Sequence, residues 1–305
     1  MQVSSTPDDC ILGIDLGATF VRVARVDGWG GEFLSAPTPS PIEAEEVIRS
    51  LISRAHRGKK VRCLGLSRAP AMDSQGHISS WPSQPQWTGL PLLKWLQQYA
   101  GTVISADDGI CATLWEHRSR ARVAAGAATA CVSIGTGVAI GLMRGTEVLP
   151  SGEGADTLSH ERFAMLDLPC RCGKYGCLQT ALCVPGLEQI NAQGKIEQLR
   201  RAFYEFAHAL KIRYGVTLIV IAGGGVDRFG PGFLRRTLMT SALAAGVELE
   251  ISSTPALSGM GGALLLATDQ MEERQRWARR VREFIHQEVE RLLLPTGVYA
   301  EPASA

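Results

Sequence analysis

Three of the chain's eight cysteines fall within one stretch, "CRCGKYGC", Cys170 to Cys177. Thiols so clustered cross-link, do redox chemistry or bind metal, and the compartment decides among these. The N-terminal "MQVSSTPDDC" is polar, with no basic segment leading into an apolar one, so it does not read as a signal peptide. No apolar run approaches the ~20 residues that span a bilayer. The expected compartment is the cytoplasm, whose reducing conditions disfavour structural disulfides and leave metal binding or redox chemistry.

Glycine turns offer a second chemistry. In "DLGAT", Asp15 to Thr19, Gly17 lets backbone N–H groups approach an anion with no Cβ in the way. The Thr19 hydroxyl adds a hydrogen bond, and Asp15 is suited to hold, usually through water, the Mg2+ that accompanies a nucleotide. "GTG", Gly135, Thr136 and Gly137, has the composition to repeat that cradle. "GGG", Gly223 to Gly225, ends an apolar run where a backbone can pass close to a ribose or base; "SGMGGA", Ser258 to Ala263, offers another such approach. One glycine turn ordinarily does no more than turn the chain. Four in this order point to nucleotide binding, with Gly223 and Gly224 on the nucleoside side.

Asp107 and Asp108 follow the strand-like "GTVIS" and precede "GICATLWE". A carboxylate at a strand's C-terminal end lies where α/β folds place their ligands. Asp108 there can accept the proton of a hydroxyl that attacks a phosphoryl group. Either aspartate can also simply cap the helix that follows. Spacing alone leaves both roles open.

The elements that must position these groups alternate. "CILGIDLGATFVRVARVDG" reads as strand, turn, strand, and "ACVSIGTGVAIGLMRGTEV" repeats the pattern. Two such hairpins, each opening one half of the chain, indicate an internal duplication. "EAEEVIRSLISRAH", "GLPLLKWLQQYA" and "KIEQLRRAFYEFAHALKIRYG" have helical periodicity, whereas "VRCLGLS" and "VTLIVIAGGGV" read as buried strands. Strands alternating with helices predict an α/β fold of two domains, 1–118 and 119–305, the boundary resting on the repeat alone. From Met271 to Leu294, Trp277, Val281, Phe284, Ile285, Val289 and Leu292 recur at helical spacing. The predicted terminal helix packs back on the body, or makes a dimer contact.

Lys plus Arg total 31 and Asp plus Glu 30 in 305 residues. That balance leaves no basic footprint for nucleic acid or a membrane surface, and the expected partner is a small molecule. Gly, at 33, is abundant without any low-complexity period, as many tight turns require.

These residues together resemble the ROK family of sugar kinases, of the actin-like, ribonuclease-H-like superfamily. The match runs in order from Asp15 to about Ala267. "DLGAT" is similar to the family's first phosphate motif, "SIGTGVAIGL" to the second and "IAGGGV" to the adenosine-side motif. Asp108 falls on the catalytic aspartate, with Glu116 at the expected distance beyond it. "CRCGKYGCLQ" matches "CxCGxxGCxE" in all but its last residue. The resemblance implies a structural zinc on His160, Cys170, Cys172 and Cys177, a closed tetrahedral set of the kind structural zinc takes. It further implies ATP and Mg2+ on Asp15, Gly17, Thr19, Gly135, Thr136, Gly137, Gly223 and Gly224, and an interdomain cleft. With no winged-helix segment ahead of the first hairpin, the expected branch is the kinases rather than the repressors, and the expected assembly a homodimer. Cys10, Cys63, Cys111, Cys131 and Cys183 read as inert core thiols.

The sugar side departs from the pattern. The family's Glu-x-Gly-His appears as "TLSH", with Thr157 for the glutamate and Ser159 for the glycine. Gln179 stands for the glutamate ending the cysteine motif, Ser83 for an asparagine, and Asp107 where relatives usually carry asparagine. Ser83, Asp107, Thr157, His160 and Gln179 are therefore the candidate acceptor contacts, with Asp156 an exposed loop residue or a substitute carboxylate, and Trp81 and Trp87 a stacking wall or mere loop packing. Retuned specificity for an atypical hexose, amino sugar or cyclitol fits these changes. So does a protein on this scaffold that binds a sugar without phosphorylating it.

Overall fold

A computed structural model describes residues 9–120, 126–150, 157–163 and 168–293. Each half of the chain opens with a hairpin. Strand β1 (Asp9–Leu16) turns into β2 (Phe20–Asp27), and β3 (Gly31–Pro37) extends the sheet. Helix α1 (Ala44–His56) returns the chain to β4 (Lys60–Arg68), followed by the small pair β5 (Ala71–Met72) and β6 (Ile78–Ser80). Helix α2 (Leu92–Gln97) leads to β7 (Val103–Asp107) and α3 (Asp108–Arg118). The second half begins again with β8 (Ala128–Ile134), β9 (Val138–Arg144) and β10 (Glu147–Leu149). Then come α4 (Leu178–Leu182), α5 (Val184–Ala192), α6 (Ile196–Tyr214) and β11 (Val216–Ala222). Helices α7 (Gly224–Phe229) and α8 (Pro231–Ala244), strand β12 (Glu248–Ile251), and helices α9 (Ser258–Thr268) and α10 (Arg274–Leu293) complete the described chain.

The sheets repeat each other. Their strand orders are β3-β2-β1-β4-β7 and β10-β9-β8-β11-β12, and in each the opening hairpin is antiparallel while the last two strands run parallel to the first. Strand β1 is buried at every position, as a central strand covered on both faces must be. Helix α6 buries Leu199, Phe203, Phe206 and Leu210 along one stripe and stops at Gly215, whose φ of 67° satisfies the last turn. Helix α2 is shorter than the periodicity of "GLPLLKWLQQYA" predicts, beginning only after Pro91.

Two helices are exchanged between the sheets. Helix α3, from the first half, packs on β8 and β9; α9, from the second, packs on β1, β4 and β7; and the two helices cross. At the crossing a Cβ on Gly262 would stand 1.9 Å from the Cys111 carbonyl oxygen, so the backbones touch and only glycine fits. Helix α10 lies on α9 and β2 and buries Trp277, Val281, Phe284 and Ile285, as its spacing predicts. Among the described residues no helix is long and apolar enough to cross a membrane.

Candidate active site

The two glycine–threonine turns meet. In the β1–β2 turn the Gly17 N–H donates to the Phe20 carbonyl (3.0 Å), and the Thr38 hydroxyl braces the loop by donating to the Gly17 carbonyl (2.6 Å). In the β8–β9 turn Gly135 N–H donates to the Gly137 carbonyl (2.9 Å). Across 117 positions of sequence, Thr19 Oγ1 and Thr136 Oγ1 lie 2.8 Å apart. Gly223, with φ of 87°, ends β11 against Ile134, the residue before Gly135, and Gly224 starts α7. Ser258 to Ala263 are used otherwise than expected. They lie inside α9, where Gly259 faces Asp15, Gly261 faces Trp115 and Gly262 faces α3, so the close approach is to protein.

Strand register collects the charged groups. Parallel pairing sets Asp15 beside Ser67 and, one row on, Arg68 beside Asp107; antiparallel pairing sets Arg22 opposite Asp15. The buried Asp15 carboxylate accepts from Ser67 Oγ (2.9 Å) at Oδ1 and from Arg22 Nη1 (3.0 Å) at Oδ2. Helix α9 begins against it, a Cβ on Gly259 lying 2.9 Å from Oδ1, which puts the positive helix end on the carboxylate.

Asp107 is the N-cap of α3, its Oδ1 accepting from Gly109 N–H at 2.9 Å. Asp108 is the first helical residue and accepts from the same N–H, also at 2.9 Å. Both carboxylates thus bond the Gly109 N–H, Asp107 from the N-cap position. Burial, then the charges of Asp107 and Asp15, hold the Asp108 carboxyl well above the ordinary carboxylate range. Burial also raises Asp107, with the Arg68 guanidinium opposing. A carboxyl of raised proton affinity is suited to taking a proton near neutral pH.

The cysteine motif closes on itself. Ligand atoms of His160, Cys170, Cys172 and Cys177 all lie within 4.8 Å of one another. Cys172 and Cys177 sulfurs are 3.6 Å apart, and Cys170 Sγ is 3.5 Å from His160 Nδ1. A tetrahedral ion with bonds of zinc's length, about 2.3 Å to sulfur and about 2.0 Å to nitrogen, needs edges of about 3.8 and 3.5 Å. The donor set fits such an ion. Gly173 and Gly176, at φ of 85° and 68°, make the turn that points the three sulfurs inward.

The remaining acceptor-side residues are spread around these centres. Thr157 and Ser159 share a hydroxyl contact of 2.9 Å in the turn that carries His160. A cavity of about 480 Å³ lined by Thr157, His160, Glu161, Arg162, Lys174 and Tyr175 opens there, and neither the phosphate turns nor Asp108 line it. Ser83 lies half-buried in a loop whose Gln84 donates to the Ala18 carbonyl (3.1 Å), so that loop abuts the first turn. Trp81 and Trp87 are buried edge to face, 5.2 Å between centroids, and pack the loop down. Gln179 contacts both the second turn and Cys170. Asp156 lies outside the described residues.

Sequence reasoning missed Arg22 and Ser67, and gave Gly259 a ligand rather than Asp15 as its neighbour. Arg22 had a usable signal, since a tight hairpin turn after Asp15 fixes its cross-strand partner. Ser67 and Gly259 depend on pairing and packing between distant segments.

Paired five-stranded sheets with exchanged helices define the actin-like, ribonuclease-H-like α/β fold. The ROK family model matches residues 11–213, and the chain belongs to the ROK family. Among solved structures it resembles the ROK hexokinase from Thermus thermophilus, with a TM-score of 0.71 and 21% identity over 87% of this chain and 99% of that one. It also resembles a ROK family glucokinase from Streptomyces griseus, solved with glucose and AMPPNP, with a TM-score of 0.65 and 19% identity over 85% and 99%. In sequence it is 31% identical over 189 residues to kanosamine kinase from Amycolatopsis mediterranei, and 23% identical over 170 residues to glucokinase from Streptomyces coelicolor. The matches cover 57% and 54% of this chain, and the chain spans 59% and 54% of those relatives.

Proposed function

We propose that the protein is an ATP-dependent phosphotransferase acting on a hydroxyl of a sugar or sugar-like acceptor, working in the cytoplasm as a homodimer. The observation that carries this reading is the meeting of two glycine–threonine turns, one from each half, at Thr19 and Thr136. Gly17, Gly135 and Gly137 let the two turns approach the phosphates with no Cβ in the way, and both threonine hydroxyls bond them, while Gly223 and Gly224 flank the nucleoside. Asp15 would hold Mg2+, whose chemistry is to neutralise charge on the transferring phosphates. Asp108 takes the proton of the acceptor hydroxyl as its oxygen bonds the γ-phosphorus; the bridging P–O bond breaks and ADP leaves. We place the cleft between segments 1–118 and 119–305.

The acceptor faces Ser83, Asp107, Thr157 and His160. The names of the sequence relatives, kanosamine kinase and glucokinase, support a hexose or aminohexose. The adjacent carboxylates of Asp107 and Asp108 favour an amino-bearing acceptor among these. The test is ADP release with Mg·ATP across hexoses, amino sugars, N-acetyl sugars and cyclitols, with Asp108→Asn as the blank. Turnover on one compound, lost in the variant, supports the reading. Sugar binding without turnover on any compound would make the protein a binding module instead.

Two further results are expected. The acid limb of kcat/KM lies above the ordinary aspartate range, near pH 4, because Asp108 must be ionised to act and its proton affinity is raised. Asp107→Asn removes a neighbouring charge and shifts that limb to lower pH; an unmoved limb would separate Asp108 from the titration. The four-ligand cluster holds structural zinc, so metal analysis should find about one zinc per chain. Folded, metal-free protein would refute this.

A further inference from the structure

We infer that Gln179 is a strut between the metal loop and the second phosphate turn, coupling zinc occupancy to nucleotide binding; this rests on the zinc and nucleotide readings above. Gln179 is the second residue of α4, two positions after Cys177. Its Nε2 donates to Cys170 Sγ at 3.1 Å, and its Oε1 accepts from the Val138 N–H at 3.4 Å. The amide therefore runs from a metal-ligand sulfur to the strand that leaves the β8–β9 turn. It also lies close in under that turn, since a Cβ on Gly137 would stand 3.3 Å from Oε1. The backbone makes the same connection, for the Val184 N–H, at the start of α5, donates to the Gly135 carbonyl at 2.9 Å.

The chemistry explains why an amide serves here. Three thiolates and a neutral imidazole around a divalent ion carry a net charge of about −1, and N–H donors to sulfur offset it. A glutamate at this position has no donor to offer and would set a second negative charge beside the thiolate. Glutamine can hold the sulfur with one end of its amide and the phosphate-turn strand with the other. The change from the family's glutamate thus converts an acceptor-side residue into a support for the metal site. Coupling of this kind is reciprocal: a filled metal site orders the strand beside the nucleotide, and bound nucleotide steadies the metal site.

The test is zinc transfer from purified holoprotein to the chromogenic chelator 4-(2-pyridylazo)resorcinol, with and without saturating Mg·AMPPNP, for wild type, Gln179→Leu and Gln179→Glu. Both variants should release zinc about 10–100-fold faster than wild type, the usual effect of losing a hydrogen bond to a metal ligand. Nucleotide should slow release from wild type about fivefold or more and leave Gln179→Leu unaffected. Release from Gln179→Leu at the wild-type rate, or wild-type release indifferent to a nucleotide that calorimetry shows to be bound, would overturn the strut. Wild type that is folded but yields no zinc overturns the zinc reading and the strut together. Zinc release without any nucleotide binding by calorimetry overturns the nucleotide reading and the coupling.

Discussion

Asp108→Asn is expected to lower turnover by about 10²–10⁴-fold, the usual worth of a positioned general base, while the protein stays folded, keeps its metal and still binds nucleotide. The exchange is isosteric. The asparagine oxygen still accepts from the Gly109 N–H, and Asp107 still caps α3. What disappears is a charge that the fold holds at a disadvantage, for burial and the charges of Asp107 and Asp15 raise the native proton affinity above that of the unfolded chain. Native protein therefore holds the Asp108 proton to higher pH than unfolded protein does. Stability falls as pH rises from the ordinary aspartate value through the raised native one, and the full deficit is present above both. The variant should accordingly melt higher than wild type at pH 8, with the difference vanishing in acid where both side chains are neutral. ADP-release kinetics and thermal melts at the two pH values measure both effects. Turnover close to wild type would remove Asp108 from the chemistry; a lower melting point at pH 8 would show that its charge is well accommodated.

Glu116→Ala should have the opposite character, costing about 3–5 kcal/mol of stability, as breaking a buried ion pair does. Glu116 is 1% exposed, on the second turn and beyond of α3 from Asp108. Its Oε1 accepts from the hydroxyls of Ser252 (2.6 Å) and Ser258, and its Oε2 pairs with Arg120, which also donates to Glu250 (2.7 Å). Alanine leaves the Ser252 hydroxyl and the Arg120 guanidinium each short of a partner, while the Ser258 hydroxyl falls back on the Thr254 carbonyl (3.1 Å). The neighbouring Trp115 Nε1 donates to Thr254 Oγ1 at 2.8 Å, so the C-terminal part of α3 is fastened to the segment that runs into α9 and hence to Gly259 beside Asp15. Urea unfolding measures the cost. The exposed pair of Arg213 with Glu161 is the control, since Arg213→Ala should cost no more than about 1 kcal/mol. A similarly small loss for Glu116→Ala would show that the network does not hold the two helices together.

The contrast shows which properties local sequence carries. The hairpins, the cysteine turn and the strand before Asp107 were readable because turn chemistry and periodicity are local, and α6 was readable from its stripe and its terminal glycine. The ROK resemblance was legible for the same reason, its motifs being short runs of consecutive residues. The glycines of Ser258 to Ala263 were expected to approach a ligand, but their neighbours lie in other segments of the protein: Asp15 for Gly259, the Trp115 ring for Gly261 and the α3 backbone for Gly262. Arg22 and Ser67 are unremarkable in their own strands and acquire meaning only from register. Gln179 looked like a substituted sugar contact, and its bond to Cys170 depends on how the cysteine loop folds back over α4.

The exchanged helices bear on how the chain is made. Synthesis delivers β1 to β7 well before α9 and α10, the helices that cover a face of that sheet. Ile11, Ala24, Val26 and Cys63 belong to an apolar cluster to which α9 and α10 contribute Met260, Leu264, Trp277 and Phe284. The first half must therefore wait, with that face uncovered, until α9 and α10 have been made, and a stop anywhere between β7 and α9 leaves a sticky sheet rather than a working domain.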